Sequence, residues 1–351
     1  MGRIEVRDFD GDLAVLADLA YGTLLDERGA GTWLDLNRPE AARLIFADVP
    51  DPRFLIGAYD GTRLVAFIAN LPRTYRLNGQ TYRAVVPTML AAHRDYRGAV
   101  VYLLAECLRR NREFGADLAL FYLERGSRSW RMFEQVLRPT YRIERVKTLH
   151  ARVRVVDLAR VAHAQNVSGL LRTAGQLIGL QRPITAPAVT GVVRPYQDAD
   201  LDAIQALLQR QADRDCLVRV FTQPALARRL HTPPMTTTLV YERAAAVRGF
   251  VNFTVHELLS RRGRQRWAWL DFLAWDGLGG SERQALLAGL WQASRAQSCI
   301  GIVEWSKGYY GPGPLWRAGF FPYPLRIEVN AWLFNPALSL RNVTGLCEQV
   351  V

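Results

Sequence analysis

Arg94, Arg97 and Gly98 stand between a run of strand-forming residues that ends at Ala92 and a helical pattern over 101–114. The start of a helix offers N–H groups without intrahelical partners and the positive end of the helix dipole, so this turn favours an anion. The two arginines strengthen that preference. Acid–base chemistry has two carboxylate candidates. Asp271 lies in the apolar strand Trp269-Leu270-Asp271-Phe272-Leu273, where a carboxylate is costly to bury unless paired. It could grip an ammonium or satisfy an arginine such as Arg248. Glu124 follows the strand pattern over 118–123 and reads either as a base reached through water or as a solvated loop residue.

Other chemistries find less support. His93-Arg94-Asp95 echoes a kinase catalytic loop but lacks the downstream Asn and every other kinase signature. His150, His163, His231 and His256 show no metal spacing, and Cys107, Cys216, Cys299 and Cys347 lie far apart with no CxxC. No metal is expected. Neither a GxSxG elbow nor a GxxxxGKS phosphate loop is present. The aromatic loop Gly308-Tyr309-Tyr310-Gly311-Pro312-Gly313-Pro314 could line a cleft or simply connect elements.

The 351 residues suffice for two domains, and 49% hydrophobic against 22% charged residues excludes a disordered or fibrous chain. The net charge of +12 comes almost wholly from arginine, since Lys147 and Lys307 are the only lysines. Such a balance favours anionic partners without choosing among nucleic acid, membrane surfaces, acidic carrier proteins and phosphorylated cofactors. Unpaired cysteines and the lack of a signal-peptide core or a spanning apolar run predict a cytoplasmic protein without stable membrane anchoring.

The elements that would position these residues occur twice. Leu55-Ile56-Gly57-Ala58-Tyr59, Asp60-Gly61 and Leu64-Val65-Ala66-Phe67-Ile68 read as strand, turn and strand. Adding 183 to each number gives Leu239-Val240-Tyr241, a short turn, and Val247-Arg248-Gly249-Phe250-Val251. The same offset carries Pro87-Thr88-Met89-Leu90-Ala91-Ala92 onto Leu270-Asp271-Phe272-Leu273-Ala274-Trp275, and Leu103-Leu104-Ala105 onto Leu286-Leu287-Ala288. One offset held through hairpin, buried strand and helix indicates duplicated mixed α/β domains. The expected organisation is residues 1–150, a helical linker over 151–189, and 190–351. In the linker, Arg160 and Arg172 flank apolar residues, which admits a membrane-surface helix, but an inter-domain packing helix is the preferred reading.

Each half resembles the GNAT superfamily of acyltransferases in its order of hairpin, third strand ending in an Arg-Gly turn, helix and strand. Leu90-Ala91-Ala92-His93-Arg94-Asp95-Tyr96-Arg97-Gly98, then Leu103-Leu104 and Arg112-Glu113-Phe114-Gly115-Ala116-Asp117, carry that resemblance. The tandem arrangement is similar to the N-myristoyltransferase family. Phe67-Ile68-Ala69-Asn70-Leu71-Pro72, Thr88-Met89-Leu90-Ala91-Ala92-His93 and Glu106-Cys107-Leu108-Arg109-Arg110 carry that closer likeness.

The resemblance implies a fold of two tandem GNAT-like domains, each a mixed twisted sheet flanked by helices. It implies an acyl-CoA co-substrate, acetyl or longer, whose pantetheine arm enters a gap between strands beside Leu90, Ala91 and Ala92. Its pyrophosphate would meet Arg94, Arg97, Gly98, Ala99, Val100 and Val101. Backbone N–H groups of Met89 and Leu90 would form an oxyanion hole, with Thr88 near the incoming amine. The myristoyltransferase likeness adds the chain-terminal carboxylate of Val351 as a base, beside Glu124 from the residue reading, with Asp271 a candidate for gripping the acceptor ammonium. The sequence departs from the GNAT pattern by continuing Arg97-Gly98-Ala99-Val100-Val101-Tyr102 where the family has a longer glycine-rich turn, and by offering Phe133 where many members place a tyrosine acid. The second half reads as shaping the acceptor site, because Asp276 and Glu282 put negative charge at its corresponding turn.

The expected activity is transfer of an acyl group, medium or long chains among the candidates, to a small-molecule or peptide amine by direct attack on the thioester. An acyl-carrier protein is a second candidate donor, and no nucleic acid is expected. The rival reading is a non-catalytic tandem module binding a peptide or nucleic acid through stretches such as Arg261-Arg262-Gly263-Arg264-Gln265-Arg266-Trp267.

Overall fold

The computed structural model describes residues 4–28, 32–33, 39–49, 51–166, 179–180, 182–210, 216–260 and 262–348. Of the sequence expectations, Val351, Arg172 and Arg261 lie outside them. The first repeat supplies strands β1 (Ile4–Asp8), β2 (Thr32–Trp33), β3 (Leu55–Asp60), β4 (Arg63–Leu77), β5 (Gln80–Ala92), β6 (Leu118–Glu124) and β7 (Ile143–Val155). The second supplies β8 (Val192–Pro195), β9 (Cys216–Val220), β10 (Thr236–Arg243), β11 (Ala246–Ser260), β12 (Gly263–Trp275), β13 (Gly301–Trp305), β14 (Phe321–Leu333) and β15 (Gly345–Cys347). Helices α1 (Leu13–Arg28), α2 (Pro39–Phe46) and α3 (Ala99–Phe114) flank the first set. The fold is mixed α/β, and the bounds of β4 and β5 reappear in β11 and β12 at the 183-residue offset seen in the sequence.

By contacts the chain divides into two units, Met1–Thr148 with Ile327–Val343, and Leu149–Arg326 with Thr344–Val350. These do not follow the linear halves expected from the duplication. In the first unit the strand order is β1-β3-β4-β5-β6-β14, and residues 327–333 of β14 run antiparallel to the whole of β6. In the second it is β8-β10-β11-β12-β13-β7, and residues 151–155 of β7 run antiparallel to β13. Each unit is therefore completed by the closing strand of the other repeat. An apolar pattern tells that a stretch is a strand but not which strand it pairs with, and the linear boundary missed the exchange for that reason.

Within the first unit, α3 buries Ala99, Leu103 and Cys107 against Ile56, Ala58, Val65, Ala66 and Ile68 of β3 and β4. Gly115 at φ 67° ends the helix in the left-handed conformation that glycine tolerates. The Arg110 guanidinium fixes the helix by bonding the Glu106 and Asp8 carboxylates, each at 2.6 Å, and the Arg53 carbonyl. Phe54, Val85, Ala119, Phe121 and Phe133 form a second apolar cluster, against which Phe114 at the end of α3 packs. The linker pattern yields the helix Leu158–Ala164, capped by Asp157. No helix of the described residues is long and apolar enough to cross a membrane.

The arginine-rich stretch is the tip of the β11–β12 hairpin. There Arg262 bonds Asn166 at 2.5 Å, and Arg266 bonds the Gln297 carbonyl at 3.3 Å. Arg262 and Arg266 are thus bonded within the unit, and Arg264 is exposed at the tip.

Hydrogen bonding from Arg109 leads in holding the Glu106 carboxyl down at about 2; burial pushes upward, and Arg110 adds to the downward shift. A carboxyl held below its unfolded value stabilises the fold above about pH 4.5, and that contribution disappears as pH falls toward 2. Replacing Glu106→Gln is expected to flatten the fall of the urea midpoint between pH 5 and pH 3. Equal slopes in both proteins would contradict the assignment.

Candidate active site

Along one edge β5 pairs with β4, and along the other it pairs with β6 only at Ala84 with Leu118 and Val85 with Ala119. From Val86 onward the two parallel strands part. At the parting the β4–β5 register shifts between Phe67 and Ala69, and Met89 sits opposite the shift at φ 52°. A β-bulge of this kind adds one residue, bends its strand and turns backbone groups out of the ladder. The Met89 side chain itself is buried, so the unusual feature is its backbone.

Several expected residues meet at this opening. Leu90, Ala92, Arg97 and Val100 line a cleft of about 200 Å³. Thr88, half-buried, pairs with Ala69 just before the bulge, and Ala91 pairs with Phe67 just after it. Arg94 and Gly98 are exposed in the turn, Ala99 is buried beneath it, and Val101 is exposed in the first turn of α3. The turn is braced by the Tyr96 hydroxyl, which donates to the Asp60 carboxylate at 2.6 Å, and the same bond raises the tyrosine pKa.

The rest of the cleft was not singled out in the sequence. Thr23, Asp26 and Glu27 enter from the last turns of α1, and Arg128, Ser129 and Met132 from the short helix Arg128–Met132 after β6. Thr23 Oγ1 accepts the Ala92 N–H at 3.1 Å and lies 3.1 Å from the Ala92 carbonyl oxygen, so α1 already holds the backbone of the last β5 residue. A ligand arm paired with β5 would use the groups before Ala92 or displace this hydroxyl. Glu27 accepts the Arg128 N–H at 2.8 Å. One signal could have found the acids: two carboxylates close to the C-terminal end of a helix oppose its dipole, a cost that ordinary helix surfaces avoid.

The other carboxylates lie elsewhere. Glu124 ends β6, pairs by register with Ile327, and is half-buried. Asp271 belongs to the second unit, where it is buried and accepts the Thr254 hydroxyl at 2.5 Å. Burial raises its pKa, opposed first by the Lys307 cation. The arginine suggested by the sequence, Arg248, is exposed on β11 and is not its partner. Phe133 is buried against Phe121, with ring centroids 5.0 Å apart.

The second unit closes its own opening. β12 pairs with β13 from Trp267 to Leu270, after which Lys307 Nζ donates to the carbonyls of Leu270, at 3.3 Å, and Asp271. The Leu273 N–H donates to the Tyr309 hydroxyl at 3.1 Å, and the Tyr310 hydroxyl donates to Glu304 at 2.6 Å. Tyr309 of the aromatic loop is thus buried in the unit and Tyr310 half-buried, while Gly308 and residues 311–313 are exposed. At the start of the helix Gly280–Ala296, Glu282 accepts the Gly279 N–H at 2.7 Å and pairs with Arg243 at 2.8 Å, so a side chain already occupies the anion position. Among the described residues no three His, Cys, Asp or Glu side chains are grouped to hold a metal.

No family model matches the chain, and no curated protein matches it in sequence. Solved structures do match in fold. The chain is similar to N-myristoyltransferase of Saccharomyces cerevisiae with bound myristoyl-CoA, at a TM-score of 0.76 and 14% identity, over 100% of this chain and 85% of that one. It is also similar to a GCN5-related N-acetyltransferase from Anabaena variabilis, at a TM-score of 0.57 and 11% identity, over 94% of this chain and 72% of that one. A probable N-acyltransferase from Enterococcus faecalis matches at 0.58 and 12%, over 95% and 73%. The chain has the tandem GNAT fold.

Burial lowers the Lys307 pKa, and the Asp271 and Glu304 carboxylates oppose that shift. Removing one charge from a buried set leaves its partners uncompensated, at a cost of about 3–5 kcal/mol. Lys307→Met is expected to lower unfolding free energy by that amount in urea titrations. Adding Asp271→Asn should recover part of the loss; strictly additive losses would show that the two groups do not interact.

Proposed function

We propose that the chain is an N-acyltransferase that moves an acyl group from a pantetheine thioester to an amine. The observation that carries this reading is the parting of β5 from β6 after Val85, combined with the backbone bulge at Met89. Acyl-CoA, acetyl or longer, and acyl-carrier protein share the thioester chemistry that such an opening would receive. The fold's likeness to a structure holding myristoyl-CoA supports the same class of donor. The acceptor is a small-molecule or peptide amine.

In the proposed reaction the neutral amine attacks the thioester carbonyl, the C–N bond forms, and the C–S bond breaks to release a thiol that takes up the proton. The N–H groups of Met89 and Leu90 stabilise the oxyanion, a contribution that preorganised donors typically make at about 3–4 kcal/mol. Thr88 borders the amine. Arg97, with Arg94 and the turn Gly98 to Val101, holds the phosphate end of the donor.

The amine must lose a proton, and Glu124 is the proposed base. The repeat supports it, because the 183-residue offset places Glu124 at the position of Lys307, whose side chain reaches the backbone of Leu270 and Asp271. Asp271, held by Thr254 in the second unit, is assigned to acceptor shaping with the rest of that unit. The chain's four free cysteines suit a protein working in a reducing compartment such as the cytoplasm.

Melting temperatures measured with acetyl-, octanoyl- and myristoyl-CoA test the reading, since a ligand of the native state stabilises it by about 2.7 kcal/mol at a hundredfold excess over Kd. At least one donor is expected to raise the melting temperature, and Val100→Trp, which fills the cleft, should abolish the shift. Absence of a shift with every thioester would refute the proposal. With a bound donor, the initial rate of amine acylation should rise between pH 6 and 9 in wild type; a flat profile would remove the base from the mechanism.

A further inference from the structure

We infer that the donor's acyl group is short, and that Phe133, stacked on Phe121, sets its limit. The inference rests on the acyl-transfer reading above. With the donor's phosphate end at Arg97 and its carbonyl at Met89 and Leu90, the acyl group continues along β5 toward the closed end of the gap, where Val85 pairs with Ala119. Aromatic side chains wall that end. Phe121 stands two residues beyond Ala119 on β6, inside the unpaired stretch, and the Phe133 ring packs on it with centroids 5.0 Å apart. Both belong to one buried cluster with Val85 and Ala119, and Phe133 is only 1% exposed. A phenylalanine at this place cannot move a proton, but its ring can stop a chain.

The open space lies at the other end. The cleft of about 200 Å³ is lined by Thr23, Arg97, Val100 and Arg128, and on the side of the short helix after β6 by Met132, the residue just before Phe133. The wall therefore begins where the lining of the cleft stops. Side chains at alternate positions of β4 face opposite sides of the sheet. On the side away from α3, Phe67 is buried against Phe9 and Phe46, at 5.1 and 5.9 Å between ring centroids. On both faces, aromatic rings occupy the space that a long chain would take. Interiors are close-packed, and a chain inserted among filled positions forces side chains from their rotamers. An acetyl or propionyl group ends short of the Phe121 and Phe133 rings, whereas an octanoyl chain would have to displace them.

The test compares acetyl-, octanoyl- and myristoyl-CoA, whose phosphates and arm are identical, by calorimetry. Wild type should bind acetyl-CoA at least about tenfold more tightly than either longer donor, the scale on which a hydrophobic pocket discriminates extra methylenes. Phe133→Ala should tighten octanoyl-CoA at least about tenfold relative to acetyl-CoA. Phe133→Leu, a milder change that keeps the cluster apolar, should shift the ratio the same way by a smaller factor, and it serves if the alanine variant fails to fold. Phe54→Leu loosens the same cluster where Phe54 meets Phe114, at 5.1 Å between ring centroids, and should lower the melting temperature without moving the ratio. Wild type that binds a longer donor as tightly as acetyl-CoA overturns the inference and leaves acyl transfer standing. So does a ratio indifferent to both Phe133 substitutions, or one that Phe54→Leu shifts equally. If none of the three donors binds, both readings fall.

Discussion

A strand that leaves its neighbour in the middle of a sheet exposes backbone N–H and C=O groups that need other partners. The repeated framework meets this demand twice and in two ways. In the second unit the chain supplies the partners itself, with Lys307 on two carbonyls and Tyr309 on an N–H. In the first unit, Thr23 satisfies only the last residue, Ala92, and a cleft opens beside Leu90. The difference between the halves is therefore one of satisfaction rather than topology. The open unit is suited to bind a linear ligand with amide groups; the closed one is suited to hold its shape.

The exchange of closing strands makes the opening local. β6 is held by register over seven residues of β14 but by only two of β5. Anchored so unequally, β6 stays with β14, and β5 is the strand that departs. The bulge at Met89 increases the bend at the same place. Because β14 comes from the far end of the sequence, the first repeat cannot complete its own framework. The duplication therefore describes the ancestry of the pattern, whereas folding units are set by pairing.

The duplicated hairpins, α3 with its glycine stop, and the third strand of each unit were legible in the sequence because periodicity, turn residues and a constant offset reported them together. Leu90, Ala92, Arg97 and Val100 were legible for the same reason, since they sit at the end of a recognisable strand–turn–helix. The strand exchange was not, because pairing partners are chosen by contacts across hundreds of residues. Thr23, Asp26, Glu27 and Arg128 were missed because two other elements carry them into the cleft, and neither element has a local motif. Asp271 illustrates the opposite limit. Its burial was foreseen, but its partners, Thr254 by hydrogen bond and Lys307 by charge, follow from a β11–β12 register shift between Asn252 and Phe253 and from a loop more than thirty residues away.

The charge arrangement in the cleft bears on how an amine would react there. Asp26 and Glu27 stand near the negative end of the α1 dipole, and Arg97 and Arg128 stand on other elements of the same cleft. Opposite signs so close together can receive an anionic donor and a cationic acceptor at once. The acids that gather an ammonium also stabilise its proton, because a nearby negative charge favours the charged form of the amine. Binding the acceptor and activating it therefore pull in opposite directions. On the proposed reading a separate base resolves that conflict, and Glu124 is the candidate for it.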